Sequence, residues 1–188
     1  MAKFKIQICL LICFDLSISW LCVVEDVIEK AVGGVSKIIH ILPSIEDSEC
    51  VVTKSIICHA QKNKVEHLVK LSCFYNRTRT GLVGKLQLKS DDMIKSSGIP
   101  YTILCANETM SNFTSFFGNS IRKNNYFELP LYSAVSYVSL NGIVSVATAI
   151  ILGEEYINEE LKLTSPQGLF QQMKQVFTNS AINLSRTF

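Results

Sequence analysis

The 188-residue sequence has no Cys-x-x-Cys pair, no glycine before Gly33, four prolines, and charged residues at only 18%. Each shortage excludes something. The seven cysteines, Cys9, Cys13, Cys22, Cys50, Cys58, Cys73 and Cys105, are odd in number and lack paired spacing, which argues against a zinc site or a disulfide framework. Most sit among aliphatic residues and read as small buried hydrophobes of a reducing compartment. His40, His59 and His67 share no metal-ligand spacing, so each reads as a satisfied structural histidine and no metal is expected. The densest basic group, Arg77, Arg79, Lys85 and Lys89, is interrupted by glycines and apolar residues, and the formal net charge is +2. A nucleic-acid footprint needs a longer basic stripe, so no nucleic-acid partner is expected. Low charge beside 48% hydrophobic residues excludes disorder and points to one domain's worth of deeply buried chain. Neither an internal repeat nor a low-complexity linker is present.

The first 24 residues admit two readings. Met-Ala-Lys-Phe-Lys before the apolar Ile6 to Cys13 has the form of a signal peptide, with Ser17-Ile-Ser19 as a weak cleavage site. Asp15 interrupts the run too early for a membrane-spanning helix, which needs about 20 largely uncharged residues. A buried strand or helix is the preferred reading, with a cytoplasmic location and no membrane; the secretory pathway is the alternative. The N-x-[ST] triplets at Asn76, Asn107, Asn112 and Asn183 carry meaning only in that second case.

Further along, apolar β-rich runs alternate with amphipathic stretches. Strands are expected at Trp20 to Val24, Lys37 to Leu42, Val65 to Leu71, Tyr101 to Leu104, Ala134 to Leu140 and Leu161 to Thr164. Helices are expected at Glu25 to Val32, Ser48 to Gln61 (capped by Ser44 or Asp47), Lys85 to Ser97, Met110 to Ile121 and Ile143 to Leu152, with a last one from Pro166 to about Asn179. Gly33-Gly34 ends the first helix. Alternation of this kind implies an α/β fold with a parallel sheet and right-handed crossovers. Unbroken apolar strands fit a sheet covered on both faces. Ligands of such sheets bind beyond the C-terminal strand ends, which makes Pro43, Ser72 and Asn107 the candidate binding residues.

Three segments carry a family resemblance. They are His67-Leu-Val-Lys-Leu-Ser72, Ile94-Lys-Ser-Ser-Gly-Ile-Pro-Tyr-Thr-Ile-Leu104 with Asn107, and Met110-Ser-Asn-Phe113. In this order they resemble the NmrA-like branch of the atypical short-chain dehydrogenase/reductases, and Leu163-Thr-Ser-Pro-Gln-Gly-Leu169 echoes a later family segment. The resemblance covers residues 20 to 178 and implies a Rossmann-type domain binding NADP or NAD. It divides the chain into an apolar N-terminal segment, residues 1–19, and a partial NAD(P)-binding-type domain, residues 20–188.

The departures bear on function. The family opens with strand-GxxGxxG-helix, whose glycines let backbone N–H groups approach a pyrophosphate; upstream of Trp20 this chain has neither those glycines nor room for two βα units. The expected fold is therefore a Rossmann-type sheet without its first βα units, with Ile6 to Cys13 covering the exposed flank. The family's arginine and proline before Asn107 are Cys105 and Ala106, its histidine falls on Gln87, and two aspartates become Ser139 and Gly142. Tyr75 has Arg79 at the fourth position after it, in a loop, so no catalytic tyrosine–lysine pair is expected and no catalytic residue is assigned. Met110 and Phe113 read as core, and Cys105 as a small hydrophobe. The expectation is weak or lost cofactor binding without turnover, and action through a protein partner or self-association. An NAD(P)H-dependent quinone or carbonyl reductase and a non-functional gene fragment are the alternatives.

Overall fold

Helices and strands alternate through residues 23–42, 48–74, 82–115, 118–124, 136–153 and 155–166, which a computed structural model describes. Helix α1 (Val23–Val32) opens with Glu25 and Asp26 in its first turn, where carboxylates meet the positive end of the helix dipole, and carries Lys30 in its last. Ile28 and Val32, one turn apart, are fully buried. Val23 and Val24 thus begin a helix and do not end the strand expected from Trp20; a short apolar run cannot separate the two conformations, and the acidic first turn decides for helix. Gly34, at φ 72°, makes the left-handed turn that releases the chain into the sheet.

Strand β1 (Lys37–His40) pairs in parallel with β2 (His67–Cys73), Lys37 beside His67 through His40 beside Lys70. Helix α2 (Ser48–Lys62) connects them, and α3 (Leu82–Lys95) leads from β2 to β3 (Tyr101–Ala106). With β4 (Glu159–Leu163) the sheet has the order β1-β2-β3-β4 and is parallel throughout. At one end of the β3–β4 pair the Asn158 N–H donates to the Tyr101 carbonyl at 2.6 Å, and at the other the Asn107 N–H donates to the Leu163 carbonyl at 3.0 Å.

Two helical layers account for the unbroken burial of β1. Ile38 and Leu68 point into a core with Ile28, Val32, Val52, Ile56 and Ile94, where α2 packs against both α1 and α3. Lys37, which alternates with Ile38, points the other way, and its ammonium donates to the Ile151 carbonyl of α6 (Leu140–Gly153) at 2.9 Å. The α/β architecture with a doubly covered parallel sheet is as the residues led one to expect.

Two expected elements differ. Of the helix expected from Met110 to Ile121, the described residues give α4 (Asn112–Ser115) and α5 (Gly118–Asn124), with Met110 and Ser111 in a turn ahead of the first. Thr114 and Ser115 hydroxyls donate back to the Ser111 carbonyl at 2.8 and 2.9 Å, the kind of local bond that competes with helix propagation. Of the strand expected from Ala134 to Leu140, the described residues, from Ser136 on, form a single bridge, Val138 to Thr109. Ser139 ends it by capping α6, its Oγ accepting the Gly142 N–H at 3.0 Å. The expectations for Ile6 to Cys13, Ser44, Asp47, Tyr75 and the helix after Pro166 lie outside the described residues. The chain divides into two compact units, Met1–Cys105 with Ser145–Lys162, and Ala106–Val144 with Leu163–Phe188. Among the described residues no helix is long and apolar enough to cross a membrane.

Candidate functional site

Of the three residues expected beyond the strand ends, Pro43 lies outside the described residues. Ser72 belongs to the first unit, as the sixth residue of β2, and Asn107 to the second, one residue past β3. Each is described in its own surroundings.

Ser72 is 4% exposed and shares a face of β2 with Leu68 and Lys70, toward α2 and α3. Its hydroxyl donates to Asp91 Oδ2 at 2.7 Å, with Gln87 Oε1 at 3.1 Å. Beside it on β2 stands Lys70, 1% exposed. An ammonium has three N–H donors, and three acceptors meet this one: Asp91 Oδ1 at 2.6 Å, Glu49 Oε1 at 3.1 Å and Gln87 Oε1 at 3.1 Å. Glu49 also accepts Gln87 Nε2 at 2.9 Å and Ser90 Oγ at 3.0 Å. A lysine cannot be left alone in such a place, because an uncompensated buried charge costs several kcal/mol. The network therefore fastens β2 to the first turn of α2 and the middle of α3.

Donor and acceptor directions follow along its extension. Ser90 spends its hydroxyl proton on Glu49, so it accepts from Thr53 Oγ1 at 3.4 Å. Thr53 must then accept from His40 Nε2 at 3.1 Å, which assigns the proton to that ring nitrogen. Burial and, secondarily, the Lys70 charge lower the His40 pKa from 6.5 to about 3, so the ring is neutral. On the other face of the sheet, Thr102 donates to the Tyr156 carbonyl at 2.8 Å and so accepts from His67 Nε2 at 2.8 Å. One ring nitrogen of each of His40 and His67 is bonded in these ways. On α2 the Nε2 of His59 and the Oγ of Ser55, one turn earlier, are buried with no hydrogen-bond partner.

Asn107 differs in kind from Ser72. It is 9% exposed, and its side-chain Oδ1 is buried with no hydrogen-bond partner. An unmet buried acceptor costs about 1–3 kcal/mol, and this one stands where ligands of parallel sheets bind. Met110, expected in the core, is 48% exposed, whereas Phe113 packs on Tyr137 with ring centroids 4.9 Å apart. Cys105 is buried as a small hydrophobe at 5% exposure, but Cys58 is exposed on α2.

Glu49, Thr53, Ser90 and Asp91 were not candidates from sequence. The available signal was Lys70 itself: a lysine amid His67-Leu-Val and Leu71 in a doubly covered strand demands a carboxylate partner. The residues around the strand ends fit a dinucleotide only in part. Asn107 offers an unmet acceptor, but the paired glycines, Gly33 and Gly34, stand at the N-terminal end of β1, opposite the end where phosphates are held. Among the described residues no cluster of three or more His, Cys, Asp or Glu is placed to hold a metal.

No protein-family model matches the sequence, and no curated protein matches it. Solved structures do. A Citrobacter sp. triphenylmethane reductase complexed with NADP(H) aligns with TM-score 0.66 and 20% identity over 82% of this chain and 56% of its own. An Escherichia coli NADPH-dependent quinone oxidoreductase complexed with NADPH aligns with TM-score 0.72 and 16% identity, over 84% and 56%. A Staphylococcus aureus nucleoside-diphosphate-sugar epimerase gives TM-score 0.70 and 13% identity, over 84% and 57%. The chain thus spans little more than half the length of each. The parallel sheet, its two helical layers and these alignments place the chain in the Rossmann-type fold of those reductases and epimerases, the fold that its resemblance to the NmrA-like proteins implies.

Proposed function

We propose that these 188 residues act as a Rossmann-type interaction module that holds NADP or NAD weakly or not at all and turns over no substrate. The observation that carries this reading is the state of the polar groups on β2. Ser72 and Lys70, near the end of β2, face the α2–α3 layer and are bound to Asp91, Glu49 and Gln87. A hydroxyl whose proton is donated to a buried carboxylate is not available to protonate a substrate. Within these 188 residues no glycine precedes Gly33, so they offer a pyrophosphate no glycine-rich turn ahead of α1.

The second reading is an NAD(P)H-dependent oxidoreductase of quinone or carbonyl type. One observation favours it: Asn107 presents a buried, unmet acceptor that suits an amide or hydroxyl donor of a ligand. Two of the structural neighbours are reductases bound to NADP(H) or NADPH. A turnover assay separates the readings. The purified chain is mixed with NADPH and a small quinone, and the loss of nicotinamide absorbance is compared with that of an Asn107→Leu variant. No enzyme-dependent oxidation is expected from either protein. Oxidation that the variant abolishes overturns the proposal in favour of the reductase.

A further inference from the structure

Among the described residues β1 ends the sheet, yet all four of its residues are buried. Its two faces are accounted for. Ile38 lies in the core with α1 and α2, and on the other face the Lys37 ammonium reaches the Ile151 carbonyl of α6. Its outer edge is a separate matter. The Leu68 N–H donates to the Pro100 carbonyl on the β3 side, so the main-chain groups of His67 and Val69 are the ones that face β1. With Lys37 beside His67, those groups meet Ser36, Ile38 and His40, and the Ser36 carbonyl does face that way, accepting the Glu66 N–H at 2.7 Å. The main-chain N–H and C=O of Lys37 and Ile39 therefore point away from β2. These two residues are only 8% and 7% exposed, and main-chain groups buried to that degree have hydrogen-bond partners.

We infer that residues 6–13 form a strand that pairs in parallel with the outer edge of β1. Three observations select this segment. The first is the hand of the fold. α2 packs between α1 and α3 in one layer, and α2 and α3 carry the chain from β1 to β2 and from β2 to β3, one step at a time across the sheet. Parallel crossovers share one hand, so a helix of this layer that leads into β1 comes from a strand on the side of β1 away from β2. Helix α1 is so placed. The second is composition. Ile6-Gln-Ile-Cys-Leu-Leu-Ile-Cys13 is apolar at every position but Gln7, as a strand between two covering layers requires, whereas Leu16 to Trp20 alternates with Ser17 and Ser19. The third is reach. The unit that holds β1 begins at Met1, and residues 14–22, at up to roughly 30 Å when extended, suffice to turn from such a strand into α1.

Pairing of this kind closes an edge that would otherwise invite another chain. It also makes residues 6–13 a part of the fold, which a removed signal peptide cannot be. Helix α1 then follows the outermost strand of the sheet, and Glu25 and Asp26 in its first turn repel a pyrophosphate from that helix start.

Nuclear magnetic resonance on the isotope-labelled 188-residue chain tests this. Short main-chain proton contacts are expected between residues 6–13 and Lys37 to His40, with residue numbers rising together along both strands. The Lys37 and Ile39 amides are expected to exchange with solvent as slowly as those of Ile38 and His40, which face β2. Contacts that are absent, that run in the opposite order or that come from Leu16 to Trp20 overturn the inference, as do Lys37 and Ile39 amides that exchange at the rate of open chain. The double variant Ile8→Pro, Leu11→Pro removes one N–H from each alternation of the segment and is expected to speed exchange at Lys37 and Ile39 roughly 100-fold, with Ile103 and Leu104 of β3 as the control for folding. Unchanged exchange in a folded variant places another segment on the edge and overturns the inference; should the variant fail to fold, the wild-type contacts decide by themselves.

Discussion

Replacing Lys70 by methionine removes the ammonium that Asp91 and Glu49 share and keeps the length of the side chain. The two carboxylates retain their bonds from Ser72, Ser90 and Gln87 but lose their counter-charge, at side-chain exposures of 0% for Glu49 and 5% for Asp91. Breaking a buried ion pair from one side costs about 3–5 kcal/mol, most of it from the charge left behind and not from the worth of the pair. For a chain of this size that is a fall in thermal midpoint of roughly 6–20 °C. The triple variant Glu49→Gln, Lys70→Met, Asp91→Asn removes the orphaned charges and should recover at least half of the loss. Urea denaturation followed by far-ultraviolet circular dichroism reads both quantities. A single variant that loses less than about 1 kcal/mol, or a triple variant no better than the single, refutes the claim that this network is charged, buried and structural.

His40 gives a pH dependence of definite sign. Its folded pKa of about 3 lies below the unfolded 6.5, so above pH 6.5 neither state is protonated and the residue contributes nothing. As the pH falls through that value the unfolded chain takes up a proton that the folded one refuses, and stability declines by about 1.4 kcal/mol per pH unit. Urea midpoints at roughly pH 7 and pH 5 should therefore differ less in His40→Gln than in the wild type; an equal difference would contradict the assignment. Asn107→Leu removes an unmet buried acceptor and should be neutral or stabilising by about 1 kcal/mol, as thermal unfolding would show, whereas a loss above that amount means that the amide is structurally bonded. Gly34→Ala places a β-carbon on a residue at φ 72° and should cost about 1 kcal/mol by the same assay, although nothing lies within 4 Å of that carbon.

β1, β2 and β3 were legible in the sequence because each is built around consecutive aliphatic residues and is closed by turn residues. β1, β2 and β3 fall within two residues of the expected bounds at both ends, and α2 within one. The reading failed where local polar chemistry competes with pattern. Val23 and Val24 read as strand but enter a helix whose first turn is acidic, and the hydroxyls of Thr114 and Ser115 bond back to the Ser111 carbonyl, local chemistry that hydropathy does not report. The buried network was illegible for a different reason. Glu49, Lys70, Ser72 and Asp91 are far apart in sequence, and only the crossover that lays α2 and α3 side by side over β2 brings them together. Ser72 and Asn107 looked alike as residues just past or at the end of strands, yet the direction of their side chains makes one a bonded member of the core and the other an unmet acceptor.

The account turns on whether this chain can hold a dinucleotide, and calorimetric titration of the purified protein with NADPH asks that directly. Where a phosphate loop is present, charge-assisted contacts to the pyrophosphate are worth about 1.5–3 kcal/mol each. Two or three fewer amount to about 4–8 kcal/mol, or three to six decades in affinity, which takes a micromolar site to millimolar or weaker. The expected result is no saturable heat with NADPH or NADH at hundreds of micromolar protein, and no rise in thermal midpoint with either. A dissociation constant in the low micromolar range would contradict the account and direct attention to Asn107 as part of a working site.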